Sequence, residues 1–382
     1  MHARIGWQNL RKSEFLDSGD YYLITGTDFV DGEVDLANCH YVTKDRYDQD
    51  SNIQIENGSI LITKDGTLGK VAYVKGLEKP ATLNAGVFNI LIRDKKRVYG
   101  KYLFQYLKAP FLLDYVAQKA TGGTIKHLNQ EILVDFPVVL PDYDEQVLLG
   151  DAFDDLDNFI TLHQRKYDKL VNIKKSMLEK MFPRDGATVP EIRFSGFTAP
   201  WEQRKVGDHC EMFNGDRSAK YPNAQDMVSE GVPFINAGDL VDGHVNLATA
   251  NKITREKYDD LGGAKLQYGD IVYCLRGTLG KNAYIDNFTE GTVASSLVAI
   301  RPKNIDGRYL FHVLNSDIEY RQRIVHDEGA AQPNLSAKSV SEFVMPAPDI
   351  DEQRIISFFL DNLSNLITLH QREQCDVVIR VS

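Results

Sequence analysis

The chain has 382 residues, of which 43% are hydrophobic and 26% charged, and its formal net charge is −10. This length predicts more than one domain, and the composition excludes a disordered chain. No run approaches the roughly 20 apolar residues that span a bilayer, and the N-terminus lacks the apolar core of a signal peptide, so we expect a cytoplasmic protein without membrane contact. The acidic balance argues against a nonspecific polyanion binder but leaves room for a local basic groove.

The chain contains one unit of sequence twice. The stretch "DGTLGK" (65–70) matches "RGTLGK" (276–281) at an offset of 277 − 66 = 211, and several other segments keep this register. After a change of loop length the offset becomes 352 − 145 = 207, where "GKYLFQYL" (100–107) matches "GRYLFHVL" (307–314). One register kept through many segments indicates a tandem duplication of a unit of about two hundred residues.

The first part of each unit combines short β-branched runs, such as "SILITK" and "DIVYCL", with glycine-bearing turns and helical patches. This mixture predicts a compact lobe of mixed α/β structure. We expect the first lobe at 1–143 and the second lobe at 183–350.

The second part of each unit predicts a long helix, at 144–182 and at 351–382. Its start carries "DYDE" or "DIDE", in which an acidic pair spaced by three residues is typical of a capping box. Apolar residues at alternating steps of four and three predict an antiparallel coiled coil of the two helices, with the lobes at opposite ends. The predicted seam residues are Phe153, Leu156, Ile160 and His163 in the first helix and Leu360, Leu363, Ile367 and His370 in the second. We interpret the two histidines as packing residues rather than metal ligands.

Several of these stretches resemble the DNA-specificity (S) subunit of type I restriction–modification systems. They are "PEIRFSGFTAPWEQRKVGD" (190–208), the "RGTLGK" stretch, "GAAQPNLSAKSV" (329–340) and "PAPDIDEQRII" (346–356), and the resemblance runs almost end to end. It implies that each lobe is a target-recognition domain that reads one half of a bipartite double-stranded DNA sequence. It also implies that the helices space the lobes and dock two methyltransferase (modification) subunits, which the restriction/translocase subunits then join.

The same resemblance implies a non-catalytic subunit, with S-adenosylmethionine, ATP and Mg bound by the partner subunits. The motifs agree with this expectation. A phosphate-binding loop needs glycine five residues before the Gly-Lys pair and Ser or Thr after it, but Lys64 and Leu275 occupy the first position and Val71 and Asn282 the last. No N-P-P-Y or D-P-P-Y stretch of an amino-methyltransferase is present. We therefore predict no catalytic residue, no metal site and no cofactor in this chain.

Candidate DNA contacts are polar residues expected on loops, because arginine and lysine read guanine, asparagine and glutamine read adenine, and any cation can bind phosphate. The candidates are Lys64, Thr67, Lys70, Lys126 and His127 in the first lobe, and Arg217, Lys220, Arg276, Thr278, Lys281, Asn282, Gln332 and Asn334 in the second. For each of them the alternative is an ordinary solvated surface residue.

Other interpretations of the sequence stay open. The two lobes could bind a protein or carbohydrate, which the acidic balance favours, and an enzyme with an unrecognised site is disfavoured. The chain could also be a shortened, impaired specificity subunit. At offset 211 Met1 matches Met212, so the first unit has no counterpart of 190–211, and the similarity of the second helix ends after Arg372. We expect shortening at both ends, or completion of the first lobe by another chain.

Overall fold

The computed structural model describes residues 2–6, 10–64, 68–119, 128–184, 186–327 and 334–381. The chain divides into two compact units, residues 1–162 and 163–382. In the described residues, no helix is long and apolar enough to cross a membrane.

The first unit contains two β-sheets. Their strand orders are β1-β10-β7-β8-β4-β3 and β5-β2-β9-β6, and most neighbours are antiparallel. The strands are β1 (His2–Ile5), β2 (Tyr21–Ile24), β3 (Phe29–Val30), β4 (Glu33–Val34), β5 (His40–Val42), β6 (Gln54–Ile55), β7 (Ile60–Thr63), β8 (Val71–Tyr73), β9 (Ala81–Leu83) and β10 (Val87–Leu91).

The apolar strand β7 separates two cores of the first unit. Ile60 and Ile62 pack with helical residues such as Leu103, whereas Leu61 packs with residues of the other sheet, including Ile24. This arrangement follows from the alternation of side chains along a strand and explains why the run is apolar throughout. The helices are α1 (Lys44–Asp48), α2 (Gly100–Lys108), α3 (Phe111–Lys119), α4 (Gln130–Asp135) and α5 (Tyr143–Lys180), the last of which continues into the second unit.

The second unit repeats this architecture. Its strands are β11 (Glu202–Lys205), β12 (Cys210–Asn214), β13 (Met227–Val228), β14 (Val232–Ile235), β15 (Leu240–Val241), β16 (His244–Val245), β17 (Asn251–Ile253), β18 (Ile271–Cys274), β19 (Asn282–Tyr284), β20 (Thr292–Val293), β21 (Leu297–Pro302) and β22 (Val344–Ala347). Its helices are α6 (Val206–His209), α7 (Arg255–Asp260), α8 (Gly307–Val313), α9 (Asp317–His326), α10 (Ala337–Ser341) and α11 (Ile350–Val381). The sheets are β12-β21-β18-β19, β13-β17-β14-β20 and the pairs β15-β16 and β11-β22.

The duplication holds at the level of single hydrogen bonds. In the first unit, the Leu128 N–H donates to the Lys64 carbonyl at 3.0 Å. In the second unit, the Leu335 N–H donates to the Leu275 carbonyl at 2.9 Å. The fold prediction of two similar mixed α/β lobes with long helices is therefore confirmed.

The first strand corrects the predicted register at the N-terminus. The Gly6 N–H donates to the Val87 carbonyl at 3.1 Å, and the Gly215 N–H donates to the Leu297 carbonyl at 3.3 Å. Val87 pairs with Thr63, and Leu297 pairs with Cys274, which is the counterpart of Thr63 in β18. Val87 and Leu297 are therefore equivalent. Gly6 thus corresponds to Gly215, an offset of 215 − 6 = 209, so the predicted match of the N-terminus at offset 211 is wrong. The second unit has two additional residues between this strand and the next.

The two long helices are antiparallel within the second unit. There the rings of His163 in α5 and His370 in α11 lie 5.6 Å apart, centroid to centroid. Further along, Met181 shares a core with Ile356 and Leu360. From the first contact to the second, the residue number rises from 163 to 181 in α5 and falls from 370 to 356 in α11. The two helices therefore run in opposite directions, as the seam predicted.

The start of α11 is capped, but without the predicted capping box. Asp349 Oδ1 accepts hydrogen bonds from the N–H groups of Asp351 (3.1 Å) and Glu352 (3.0 Å). Glu352, instead of reaching back to the cap, accepts two bonds from Arg193 at 2.7 and 2.8 Å. A buried carboxylate is stabilised better by a bidentate guanidinium than by one backbone N–H.

Candidate nucleic-acid interface

The glycine turns after β7 and β18 present the predicted DNA contacts. Gly69 (φ 75°) and Gly280 (φ 80°) adopt the left-handed conformation that favours glycine, as expected for turn formers rather than a phosphate loop. In the second lobe, Arg276 and Thr278 stand exposed on this turn. Loops between strands often carry the binding residues of a protein, so these exposed side chains stay candidates for contact with a ligand.

The structure brings together two predicted contacts from distant parts of the chain. Arg276 and Asn334 form an isolated antiparallel bridge, and the Arg276 Nε donates to the Asn334 Oδ1 at 3.0 Å. Asn334 is fixed in turn by its N–H, which donates to the Asp327 Oδ1 at 2.9 Å. One guanidinium edge is thus held by protein, and its orientation is restricted before any ligand arrives.

The two predicted contacts that follow on this turn, Lys281 and Asn282, are buried to different extents. The half-buried Lys281 donates from Nζ to the Ala237 carbonyl at 3.0 Å, which ties the turn to the adjacent loop. Asn282 is 4% exposed, and its amide donates to the carbonyls of Gly280 (2.8 Å) and Leu314 (3.2 Å). The prediction of a DNA contact is wrong for Asn282, because a buried amide with these partners cannot reach a base.

A buried carboxylate beneath the turn was not found from the sequence. Glu319, 5% exposed, accepts hydrogen bonds from the Tyr273 hydroxyl and from the Arg323 Nε, the latter at 2.9 Å. Burial raises the pKa of Glu319, while these bonds oppose that shift. A Cβ added to Gly280 would lie 2.7 Å from the Arg323 Nε. The absence of a side chain at Gly280 therefore allows the turn to pack directly against Arg323 and Glu319. No sequence motif marks Glu319: Arg323 lies four residues on in the same helix, but Tyr273 lies 46 residues away in β18.

Arg217 and Lys220 lie on an open cleft of about 650 Å³ in the second lobe. Both are exposed; Arg217 donates to the Ser295 carbonyl at 3.2 Å, and Lys220 pairs with Asp260. Asp216 also lines the cleft, and hydrogen bonds from Ser218 lower its pKa. Since the carboxylates of Asp216 and Asp260 line the same cleft, the cleft is not a simple positive surface.

In the first lobe only part of the predicted set can be placed. Lys64 is half-buried, with its N–H bonded to the Gly86 carbonyl at 2.7 Å, and Lys70 is exposed on the turn. Thr67, Lys126, His127 and, in the second lobe, Gln332 lie outside the described residues.

One glutamine anchors each long helix to its lobe, and the two glutamines are equivalent in the duplicated units. The sequence analysis missed this role. Gln146 accepts from the Tyr99 N–H at 3.0 Å and donates to the Pro141 carbonyl at 2.9 Å. Gln353 likewise accepts from the Asp306 N–H at 2.9 Å and donates to the Pro348 carbonyl at 2.8 Å. The repeated "DEQ" was the available signal.

About two turns further along each helix, eight residues after each glutamine, equivalent aspartates make a second anchor. Asp154 binds Lys75 at 2.5 Å and Lys101 at 2.8 Å. Burial acts to raise its pKa, but these hydrogen bonds outweigh burial and the pKa lies below its usual value. In the second unit, Asp361 binds the His312 Nε2 at 2.9 Å.

The seam residues are buried to very different extents. Leu360, Leu363 and His370 are buried, and Leu156, Ile160, His163 and Ile367 are half-buried. The prediction is wrong for Phe153, which is 43% exposed. At this level α5 turns the face of Gly150 and Asp154 toward its own lobe, where a Cβ on Gly150 would meet the Tyr102 nitrogen at 2.7 Å. Lobe packing therefore sets the rotation of the helix here.

Across the part of the chain that the structure describes, no group of three or more His, Cys, Asp or Glu side chains is arranged to hold a metal ion.

Comparison with known proteins identifies the family. The model of the type I restriction modification DNA specificity domain matches residues 8–172 and 199–377, one match for each copy of the duplicated unit. The chain belongs to this family.

Specificity subunits from Methanocaldococcus jannaschii and Escherichia coli are similar over most of the chain. The type I restriction enzyme MjaVIII specificity subunit of Methanocaldococcus jannaschii is 23% identical over 338 residues, which cover 84% of this chain and 77% of the relative. The EcoBI specificity subunit of Escherichia coli is 23% identical over 297 residues, covering 73% and 61%. The crystal structure of the S subunit from M. genitalium has the same fold, with a TM-score of 0.64, 15% identity and coverage of 99% of this chain and 90% of that one.

Proposed function

We propose that this DNA-specificity protein reads a bipartite double-stranded DNA target, with each lobe reading one half. The observation that carries the proposal is the turn of the second lobe, where Arg276 is exposed and oriented by Asn334. The repeated fold supplies a similar turn, bearing Lys70, in the first lobe. Two similar readers on one chain fit a target in two parts better than a single continuous site.

The chemistry of recognition follows from the groups on the turn. With its Nε held by Asn334, the guanidinium of Arg276 has its two terminal nitrogens available for the O6 and N7 atoms of guanine in the major groove. The hydroxyl and methyl of Thr278 suit a neighbouring base edge, and the cations Lys70 and Arg217 suit phosphates. Lys220 would first have to exchange its partner Asp260 for phosphate.

The long helices are the proposed docking surface for two methyltransferase subunits, which the restriction/translocase subunits join. In this assembly the chain supplies recognition alone and acts in the cytoplasm, while S-adenosylmethionine, ATP and Mg belong to the partners. The names of the relatives support this division, since they are specificity subunits of type I restriction enzymes. Purified chain should accordingly show no methylation, ATP hydrolysis or DNA cleavage, and turnover by rigorously purified protein would contradict the proposal.

Exchange of one lobe tests the two-reader proposal. The chain is co-expressed with its methyltransferase subunit, and methylated adenines are mapped before and after residues 212–343 are replaced by a lobe from another specificity subunit. One half of the methylated motif should change, while the other half and the unread gap stay the same. A change in both halves would show that the lobes do not read separately. Absence of any salt-dependent duplex binding would favour a non-DNA partner.

A further inference from the structure

Helix α9 packs against the glycine turn of the second lobe. Glu319 and Arg323 lie one helical turn apart in α9, and a Cβ added to Gly280 would lie 2.9 Å from the Glu319 Oε1 and 2.7 Å from the Arg323 Nε. The Glu319 carboxylate also accepts a hydrogen bond from the hydroxyl of Tyr273, which lies in β18, the strand that leads into the turn. One carboxylate and its arginine therefore join α9, β18 and the turn.

The end of α9 holds the turn at a second point. Asp327 directly follows the last residue of the helix, and its Oδ1 accepts a hydrogen bond from the Asn334 N–H at 2.9 Å. The Oδ1 of Asn334 in turn accepts the bond from the Arg276 Nε at 3.0 Å. Arg276 thus depends on α9 twice, through Gly280 in its own turn and through Asn334. A shift of α9 would change the orientation of the guanidinium.

The first lobe builds the same place from apolar side chains. The counterparts of Tyr273, Glu319 and Arg323 are Ile62, Leu112 and Val116 (273 − 62 = 211, 319 − 112 = 207 and 323 − 116 = 207). Burial agrees with this alignment, because Leu112 is 0% and Val116 is 4% exposed, and both share a core with Ile62. The fold of a lobe therefore does not require the charged pair.

An ion pair is a costly way to fill this place. Glu319 is buried, and a buried carboxylate loses its hydration, so replacement of such a pair by apolar residues is often neutral or stabilising. Costly polar groups that a fold does not require are typical of functional sites. The two lobes of a bipartite reader share the fold and differ in the bases that they read, which connects the pair with base reading.

We propose that Glu319 and Arg323 are positioning residues for base recognition by the second lobe. They fix α9 against the glycine turn, and α9 then fixes the guanidinium of Arg276 through Gly280 and through Asp327. Neither residue of the pair has to touch the DNA for this role. The proposal rests on the proposed DNA recognition and adds the network that makes one arginine selective for its base.

Transfer of the apolar set into the second lobe tests this role. The triple variant Tyr273→Ile, Glu319→Leu and Arg323→Val loses one negative and one positive charge, so the general attraction to DNA should not change. The full chain should unfold at no lower urea concentration than the wild type. In complex with the methyltransferase subunit, its preference for the base that Arg276 reads should fall about tenfold across a panel of single-base DNA variants at fixed salt. Preferences in the other half-site should stay the same and serve as the internal control.

Variants of the exposed Asp327 keep the test decisive if the triple variant does not fold. Asp327→Ala should fold, release Asn334 and lower the same base preference, whereas Asp327→Asn keeps the accepting oxygen and should retain the preference. Wild-type preference in the folded triple variant, or in Asp327→Ala where the triple variant is unfolded, would overturn the positioning role. An equal loss of affinity for all sequences would also overturn it, since it identifies a phosphate contact. Absence of any base preference in the wild type would instead contradict DNA recognition itself.

Discussion

Arg276 donates a hydrogen bond from its Nε to the Oδ1 of Asn334 at 3.0 Å, although 58 positions separate the two residues in the chain. The bond uses one edge of the guanidinium and leaves the terminal nitrogens to other partners. An arginine that is oriented in advance loses less conformational freedom on binding, which favours specific bidentate recognition over loose phosphate contact.

Replacement of Arg276 by alanine should relax the choice of a single base. If the guanidinium binds guanine through two bonds, Arg276→Ala should weaken binding of the preferred DNA by about 1–3 kcal/mol and leave the other positions of the motif intact. Binding to a panel of single-base variants at fixed salt gives the result. An equal loss for all sequences would instead identify a phosphate contact.

The buried neighbour Asn282 is the matched control. Asn282→Ala removes the donors that the carbonyls of Gly280 and Leu314 use. It should therefore lower the free energy of unfolding, by about 1–3 kcal/mol, without a change in which base is preferred. A base-specific effect of Asn282→Ala would contradict its structural assignment.

Truncations along the helix seam should follow burial rather than heptad position. Leu360 is completely buried, so Leu360→Ala should lower the free energy of unfolding by about 2–5 kcal/mol. Phe153 is 43% exposed, and Phe153→Ala should cost clearly less. Urea unfolding of both variants measures the difference. Equal losses would mean that Phe153 is buried in solution, as the heptad pattern alone predicted.

Acid should destabilise the second unit through His312. Burial lowers the pKa of His312, Lys174 and Arg308 act in the same direction, and the bond to Asp361 opposes them. The unfolded chain takes up the proton near the ordinary histidine pKa of about 6.5, so stability is full above that pH and falls as the pH decreases below it. Urea unfolding followed by Trp201 fluorescence, with Trp7→Phe to remove the other signal, should show a smaller acid-induced fall in His312→Gln. An identical fall in both proteins would assign the effect to other groups.

Shortening both helices tests whether they set the gap between half-sites. Deletion of 164–170 from α5 and 363–369 from α11 keeps the heptad phase and removes about 10 Å at 1.5 Å per residue. Because B-DNA rises about 3.4 Å per base pair, the unread gap should contract by about three base pairs, or binding should be lost if the DNA cannot twist to match. Deletion of 164–168 alone rotates the rest of α5 by about 140° relative to α11, at about 100° per residue, and should prevent assembly. A shortened chain that methylates both halves with an unchanged gap would refute the proposed spacing role.

The sequence by itself determined the duplication, the two mixed lobes and the two long helices. These features follow from repeated segments and from apolar periodicity, which local residues specify. It also located the glycine turn, because a left-handed conformation at Gly69 and Gly280 restricts the residue type.

Only the tertiary structure decided which of these residues face solvent and which meet. Asn282 and Arg276 belong to the same motif. The side-chain amide of Asn282 is buried and donates to the Leu314 carbonyl after α8, whereas the side chain of Arg276 is exposed and donates to Asn334. The first strand takes the offset 209 because its hydrogen-bond partners in β10 fix the pairing. Burial and pairing depend on residues far away in the chain, so neither periodicity nor motif spacing contains them.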